Sequence, residues 1–299
     1  MNTDIYDGML LLESLSKIYI SIHIFELKTD EYITIQSNEI IDGWAKDPVG
    51  AQAKTVNVLN HIAVPEYLES IINFTDFSSL DSRMKDTNTI TMIFKGIVNG
   101  WCRARFIAVD YAEDGTLNRV MFTVECIHEE KERENYLTYL AQTDFLTEIS
   151  NRGYGEHCIN ELIAAKTEGV FGLLDVDHFK AINDLYGHDI GDQVLVNIGH
   201  CLKKIQQPGD IIMRLGGDEF AFYLVGVKTK KEIKERIEIL FLEIEKISHH
   251  IPILNEDISI SLGVSFYSDT ATFDKLYKKA DYGVYASKRR RGSALTFDH

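Results

Sequence analysis

The alternation of apolar and polar positions divides the chain near residue 128. Before it, Ile18 to Leu27 and Glu31 to Gln36 read as a β-hairpin around Lys28-Thr29-Asp30. Helical spacing fills about 48–75. Thr89 to Phe94, Trp101 to Tyr111 and Arg119 to Ile127 read as three closing strands, with Asp114-Gly115 marking the last turn. From His128 to Ala141 a charged helix follows. Its apolar positions are Tyr136, Leu137, Leu140 and Ala141, a stripe too short to require a coiled coil, and a solvated spacer fits it equally.

Beyond 144 helix and strand alternate. Gly153 to Lys166 is helical with Ile159, Leu162 and Ile163 inward. Val170 to Val176 is almost wholly apolar, as a central strand buried on both faces must be. Val194, Leu195, Ile198, Leu202 and Ile205 return to helical spacing. Ile211 to Leu215 and Phe220 to Val225 flank Gly216-Gly217, which reads as a two-residue turn whose positive φ suits glycine. Thr229-x-x-Glu232 is a capping box opening a helix that reaches Ile247. Ile258, Ile260, Leu262, Val264 and Phe266 alternate with Ser259, Ser261, Gly263 and Ser265, predicting a half-buried strand, and Phe273 to Arg290 is the last helix. The order α-β-α-α-β-β-α-β-α predicts an α+β domain with a central, mostly antiparallel sheet.

Length and charge narrow the function. At 299 residues there is room for two domains. A net charge of −15 argues against nucleic acid as a partner. Residues 1–130 carry 20 acids against 10 bases, so the C-terminal half is nearer neutral and suited to a polyanionic ligand. The one basic run, Lys288-Arg289-Arg290-Arg291, reads as a helix C-terminus offsetting its dipole. No apolar stretch approaches the ~20 residues that span a bilayer, and the N-terminus lacks a signal-peptide pattern, so no membrane partner and a cytoplasmic location are expected. Cys102, Cys126, Cys158 and Cys201 show no metal-ligand spacing and read as reduced thiols. His23, His61 and Trp101 read as packing or surface residues; no haem or flavin attachment context accompanies them.

The candidate chemistry lies in acids. Asp218 and Glu219 are thrust out together at a hairpin tip, where neighbouring carboxylates repel unless a cation or donor stands between them. Asp175 ends the most apolar strand, and an unpaired carboxylate there suffers heavy desolvation without a metal. Other readings compete residue by residue. Asp192 suits an N-cap of a 193–205 helix and Asn183 a helix end. Lys288, four residues after Val284, continues a core-facing stripe and can snorkel.

Arg214-Leu-Gly-Gly-Asp-Glu-Phe220 resembles the signature of the GGDEF family, the diguanylate cyclases, which condense two GTP into cyclic di-GMP and two pyrophosphates. A second match spans Leu174-Asp-Val-Asp-His-Phe-Lys180, Asn183-Asp184, Gly187-His188 and Gly191-Asp192. A third, Asp144-Phe-Leu-Thr147 with Asn151-Arg152, resembles the opening of the family's domain, although Glu148 and Ser150 replace its usual Gly and Pro. The resemblance covers about 140–299 and implies a palm-like nucleotide cyclase fold. Two strands, helices and three strands over 1–127 resemble a PAS sensory domain, with a related α+β sensor as its rival. Residues 128–143 then form a signalling helix and 144–299 the cyclase.

The resemblance implies site roles. Asp175, the Val176 carbonyl and Asp218 hold two Mg²⁺ ions, with Mn²⁺ as the alternative. Asp218 helps remove the ribose 3′ proton, and Glu219 supports the metal and ribose region. Amides around Phe179 and Lys180, with the Lys180 and Lys288 ammonium groups, grip the β- and γ-phosphates. Asn183 and Asp192 read guanine, and Asp192 argues against a cyclase that also accepts ATP. The partners implied are GTP, a second copy in a homodimer whose monomer is inactive, and an unidentified sensory ligand. Two departures stand out. Gly292 replaces a phosphate-binding arginine, for which Arg291 is the substitute. The family's product-inhibition motif Arg-x-x-Asp reads Gln207-Pro-Gly-Asp210, so no product feedback is expected there. The rival function is a catalytically silent GTP-binding or interaction module.

Overall fold

The computed structural model describes residues 18–46, 49–254 and 257–297, and the chain divides between Asn135 and Tyr136 into two compact units. The first contains β1 (Tyr19–Glu26), β2 (Glu31–Gln36), α1 (Glu39–Trp44), α2 (Ala51–Ile62), α3 (Pro65–Phe74), α4 (Leu80–Arg83), β3 (Thr89–Gly96), β4 (Gly100–Tyr111) and β5 (Leu117–Cys126). Its sheet has the order β2-β1-β5-β4-β3, antiparallel throughout. Phe25, Leu59, Ile71, Leu80, Phe94, Phe106 and Phe122 form its core. The expected helical stretch begins partly outside the described residues and is broken at Ala63-Val64, where Pro65 opens α3 as a first-turn proline. α1 is too short to show a period. It is started by the Asn38 side chain, which accepts from the Ile40 and Ile41 amides at 3.1 and 3.0 Å.

α5 (His128–Gln142) carries the chain across the division with no buried residue. The second unit contains β6 (Ser150–Asn151), α6 (Arg152–Ala164), β7 (Gly169–Val176), α7 (Phe179–Tyr186), α8 (His188–Ile205), β8 (Ile211–Gly216), β9 (Glu219–Val225), α9 (Lys230–Glu245), α10 (Ile247–His250), β10 (Ile260–Phe266), α11 (Phe273–Ser287) and β11 (Ala294–Phe297). Its sheet runs β11-β10-β7-β9-β8-β6, antiparallel except for the β10–β11 and β6–β8 pairs at its edges. Strand alternation sorts β7 between two cores. Leu174 and Val176 join Ile198, Leu202 and Ile237 from α8 and α9; Phe171 and Leu173 join Ile159, Phe273 and Val284 from α6 and α11. The capping box forms as expected, with the Thr229 hydroxyl accepting from the Glu232 amide.

β10 departs from expectation, because its serine face is buried as fully as its apolar face, with Ser261 1% and Ser265 0% exposed. α11 covers it. A Cβ at Gly263 would collide with the Ala280 carbonyl, so the small residues mark a close helix–sheet contact, which alternation alone does not distinguish from a wet face. α11 ends at Ser287, short of the expected Arg290, which leaves most of the basic run beyond the helix. Among the described residues no helix is long and apolar enough to cross a membrane.

Candidate active site

The acids gather at one corner of the second sheet because three strands end or begin there. Asp175 lies directly opposite Glu219 in the β7–β9 register, so the two side chains share a face. The Val176 amide donates to the Asp218 carbonyl at 3.2 Å, which draws the hairpin turn against the end of β7. The turn itself is one residue further along than expected. Gly216 closes β8, a bulge follows Arg214, and Gly217-Asp218 are the two turn residues. Gly217 has φ 56° and Gly216 φ 143°, with open space around both, so backbone conformation alone demands glycine.

Arg214 holds this turn in place. Its Nε and Nη2 donate to the Gly217 carbonyl at 3.0 and 2.7 Å, and its Nη1 pairs with Asp144 Oδ1 at 3.2 Å. Asp144 Oδ1 also accepts from the Thr147 amide and hydroxyl at 2.9 and 2.6 Å. Burial pushes the Asp144 carboxyl up, but these hydrogen bonds and the guanidinium charge hold it below the ordinary range. The signature letters Asp144, Thr147 and Arg214 thus form one clamp behind the acids, a role that their separation of 70 residues in sequence hid.

Asp175 is not unpaired. The Lys288 ammonium stands 2.8 Å from its Oδ1, with the two side chains 46% and 14% exposed. Lys288, expected on the phosphates, is therefore placed on the acid corner, at the C-cap of α11. Burial pushes the Asp175 pKa up; Lys288 pulls it back, while Asp218 and Asp177 push it further up, and the net shift is upward. Glu219 is raised by burial and by Asp175, Asp218 and Asp281, against Lys288. Burial opposes the charge on Lys288, yet Asp175, with Asp218 and Asp177, raises its pKa overall. The corner has more negative charge than one ammonium neutralises, which suits a divalent cation. Among the described residues no three His, Cys, Asp or Glu side chains converge on a metal-sized point.

Asp177 was not anticipated. Its two oxygens accept from Ser259 Oγ and Ser261 Oγ, each at 2.7 Å, fastening the end of β7 to the β10 side of the sheet. Next to it His178 adopts φ 55°, an uncommon conformation for a non-glycine residue, and leads into α7 without a side-chain cap. The Phe179 and Lys180 amides thus open a helix whose first donors lack intrahelical partners. Asn183 Oδ1 is buried with no hydrogen-bond partner. Gly191 packs against that amide, since a Cβ there would strike it. Asp192 is exposed in the second turn of α8, which begins at His188, so it is not the N-cap.

In the basic run, Arg289 lies over the Tyr285 ring at 4.7 Å and Arg290 donates to the Leu295 carbonyl at 3.2 Å. Arg291 is exposed and has no partner among the described residues. Gly292 has φ 72° in open space, so its glycine answers a backbone need. Asp210 is fully engaged: it accepts from the Gln207 and Val225 amides at 2.8 Å each and pairs with Arg236.

The family model for the diguanylate cyclase GGDEF domain matches residues 141–294. Diguanylate cyclase DgcM of Escherichia coli (strain K12) is 31% identical over 172 residues, 55% of this chain and 40% of its own length. The response regulator PleD of Caulobacter vibrioides (strain NA1000 / CB15N) is 37% identical over 164 residues, 52% of this chain and 36% of its own. The chain thus spans well under half of either relative. The crystal structure of the coiled coil and GGDEF domain of DgcB from Caulobacter crescentus in complex with c-di-GMP superposes with a TM-score of 0.50 at 24% identity, covering 57% of this chain and 93% of that one, a likeness of fold.

Proposed function

Because the chain belongs to the GGDEF family of diguanylate cyclase domains, we propose that it condenses two GTP into cyclic di-GMP, releasing two pyrophosphates. The reaction runs in a homodimer whose subunits each hold one GTP. The observation that carries this reading is the acid corner, where Asp175 and Glu219 share a face, the Asp218 turn is bonded to Val176, and two carboxyl pKa values are raised, first by burial and then by the neighbouring acids. Asp175, the Val176 carbonyl and Asp218 hold Mg²⁺. Bound there, Mg²⁺ neutralises the triphosphate and polarises the α-phosphorus.

The protein's own groups do the rest. The free amides at the start of α7, with Lys180 and Lys288, bind the β- and γ-phosphates. Lys288 is half-exposed beside Asp175, and with Asp175 engaged by Mg²⁺ its ammonium would be free to pair with a phosphate. Asp218 takes part in removing the 3′ proton and Glu219 holds the ribose side. Asn183 Oδ1, buried without a partner, and nearby Asp192 accept from guanine. Arg291 meets the phosphates in place of the missing arginine. Asp210, already saturated by Arg236 and two amides, leaves no feedback site for the product.

The N-terminal unit is the proposed sensor. The order β2-β1-β5-β4-β3, with α1 to α4 between β2 and β3, suits a PAS-like domain over 1–127 acting through 128–143. Gly292 favours a second reading, a silent GTP-binding module. Incubation with GTP and Mg²⁺ followed by chromatography separates the two. Cyclic di-GMP from the full chain, reduced at least about 100-fold in Asp218→Ala, is the expected result. Undiminished turnover in that variant overturns the metal assignment, and GTP binding without product leaves the silent module.

A further inference from the structure

We propose that Cys102 and Cys126 form a dithiol site that reversibly takes up a disulfide bond from small-molecule disulfides such as oxidised glutathione. The two residues oppose each other in the register of β4 and β5. Just beyond them the Ile127 amide donates to the Trp101 carbonyl at 2.9 Å, which makes Trp101 and Ile127 a hydrogen-bonded pair. The two kinds of pair alternate along an antiparallel ladder, so Cys102 and Cys126 form a non-hydrogen-bonded pair. In such a pair the Cα atoms stand about 4.5 Å apart with side chains on one face. Disulfides bridge Cα separations of about 4.4–6.8 Å.

The sulfur positions point the same way. Cys102 Sγ lies 3.6 Å from the Gly100 carbonyl and Cys126 Sγ 3.3 Å from that of the adjacent Asn99, so both thiols converge on the β3–β4 turn. Their surroundings divide the labour. Cys126 is exposed, whereas Cys102 is buried and lines a cavity of about 40 Å³. Burial, with the nearby Cys126, pushes the Cys102 thiol up to about 12, so it stays protonated until a partner is presented. Cys158 and Cys201 belong to separate helices and have no cross-strand neighbour.

The chemistry balances in two exchanges. The Cys126 thiolate attacks one sulfur of oxidised glutathione, forming a mixed disulfide and expelling one glutathione thiolate. Cys102 then gives its proton to solvent and attacks Cys126 Sγ, expelling the second glutathione and closing the intramolecular bond. The protein loses two electrons and two protons; the glutathione pair gains them. Cys126 is the last residue of β5 and α5 starts two residues later, while Gly100 packs against the His128 ring. The bond therefore fastens β4 to the root of α5. In a reducing compartment the pair rests as thiols.

The test treats the reduced full chain with oxidised glutathione, blocks remaining thiols by alkylation and maps tryptic peptides, which Arg103 and Arg119 keep apart. A Cys102–Cys126 cross-link, reversed by dithiothreitol and unchanged in the Cys158→Ser/Cys201→Ser variant, is expected. Cys102→Ser is expected to stop at a glutathione adduct on Cys126. The proposal is overturned if the wild-type chain stops at that adduct, joins other cysteines, or leaves both thiols alkylatable. None of these readouts uses GTP, so the outcome is independent of the cyclase reading.

Discussion

Asp175 and Asp210 lie at the two ends of β9, one beside Glu219 at its start, the other bonded to Val225 at its end. Both side chains are largely buried, 14% and 1% exposed. Asp210 has a full set of protein partners: two backbone amides and the Arg236 guanidinium, itself mostly buried. Asp175 has one half-exposed ammonium, and burial together with the neighbouring Asp218 and Asp177 raises its pKa. Two buried carboxylates of one sheet thus differ in what they leave over. Asp210 is spent on holding the fold together, whereas Asp175 keeps only one half-exposed partner, as the proposed metal-holding role requires.

Substitution at Asp175 separates the two most sharply. Asp175→Asn is expected to lower cyclic di-GMP formation at least about 100-fold while the metal-free chain melts no lower than wild type. A collapsed melting temperature would place Asp175 in the same structural class as Asp210. Asp210→Ala is expected to reduce the stability of the second unit by about 3–5 kcal/mol, because it strands the Arg236 charge in the interior. A calorimetric melt of the full chain measures this, and a loss below about 1 kcal/mol breaks the comparison.

The pH dependence follows from the same contrast. Folding raises the pKa of Asp175 and Glu219, so the folded chain holds these protons more tightly than the unfolded one. Their contribution to stability is complete below the ordinary carboxylate range and is lost as pH climbs through the raised values. The metal-free melting temperature should therefore carry a falling component there, smaller in Asp175→Asn. Mg²⁺ should offset it by a few degrees at neutral pH and have little effect in acid, as a thermal melt series would register. The smallest effect belongs to Lys288→Met. Its ammonium is about half exposed, so the solvent-screened pair contributes less than about 1 kcal/mol, while KM for GTP should rise.

Local patterns carried much of this in the sequence alone. The apolar run ending in Asp175, the glycine pair before Asp218 and the Thr229–Glu232 box each announce a strand, a turn and a cap within a few residues. The strand period, positive φ and helix capping are short-range physics. The corner they build was legible because its acids sit at the ends of recognisable elements.

Contacts between distant residues were not legible. Alternation predicted a wet face on β10, whereas α11 turned Ser261 and Ser265 into core. The clamp of Asp144 on Arg214, the pair of Lys288 with Asp175, the closure of Asp210 by Arg236 and the meeting of Cys102 with Cys126 all depend on which elements pack side by side. A side chain's period records that it faces inward. Only the packed chain decides what it meets there, because partner choice is set by register and helix placement over tens of residues.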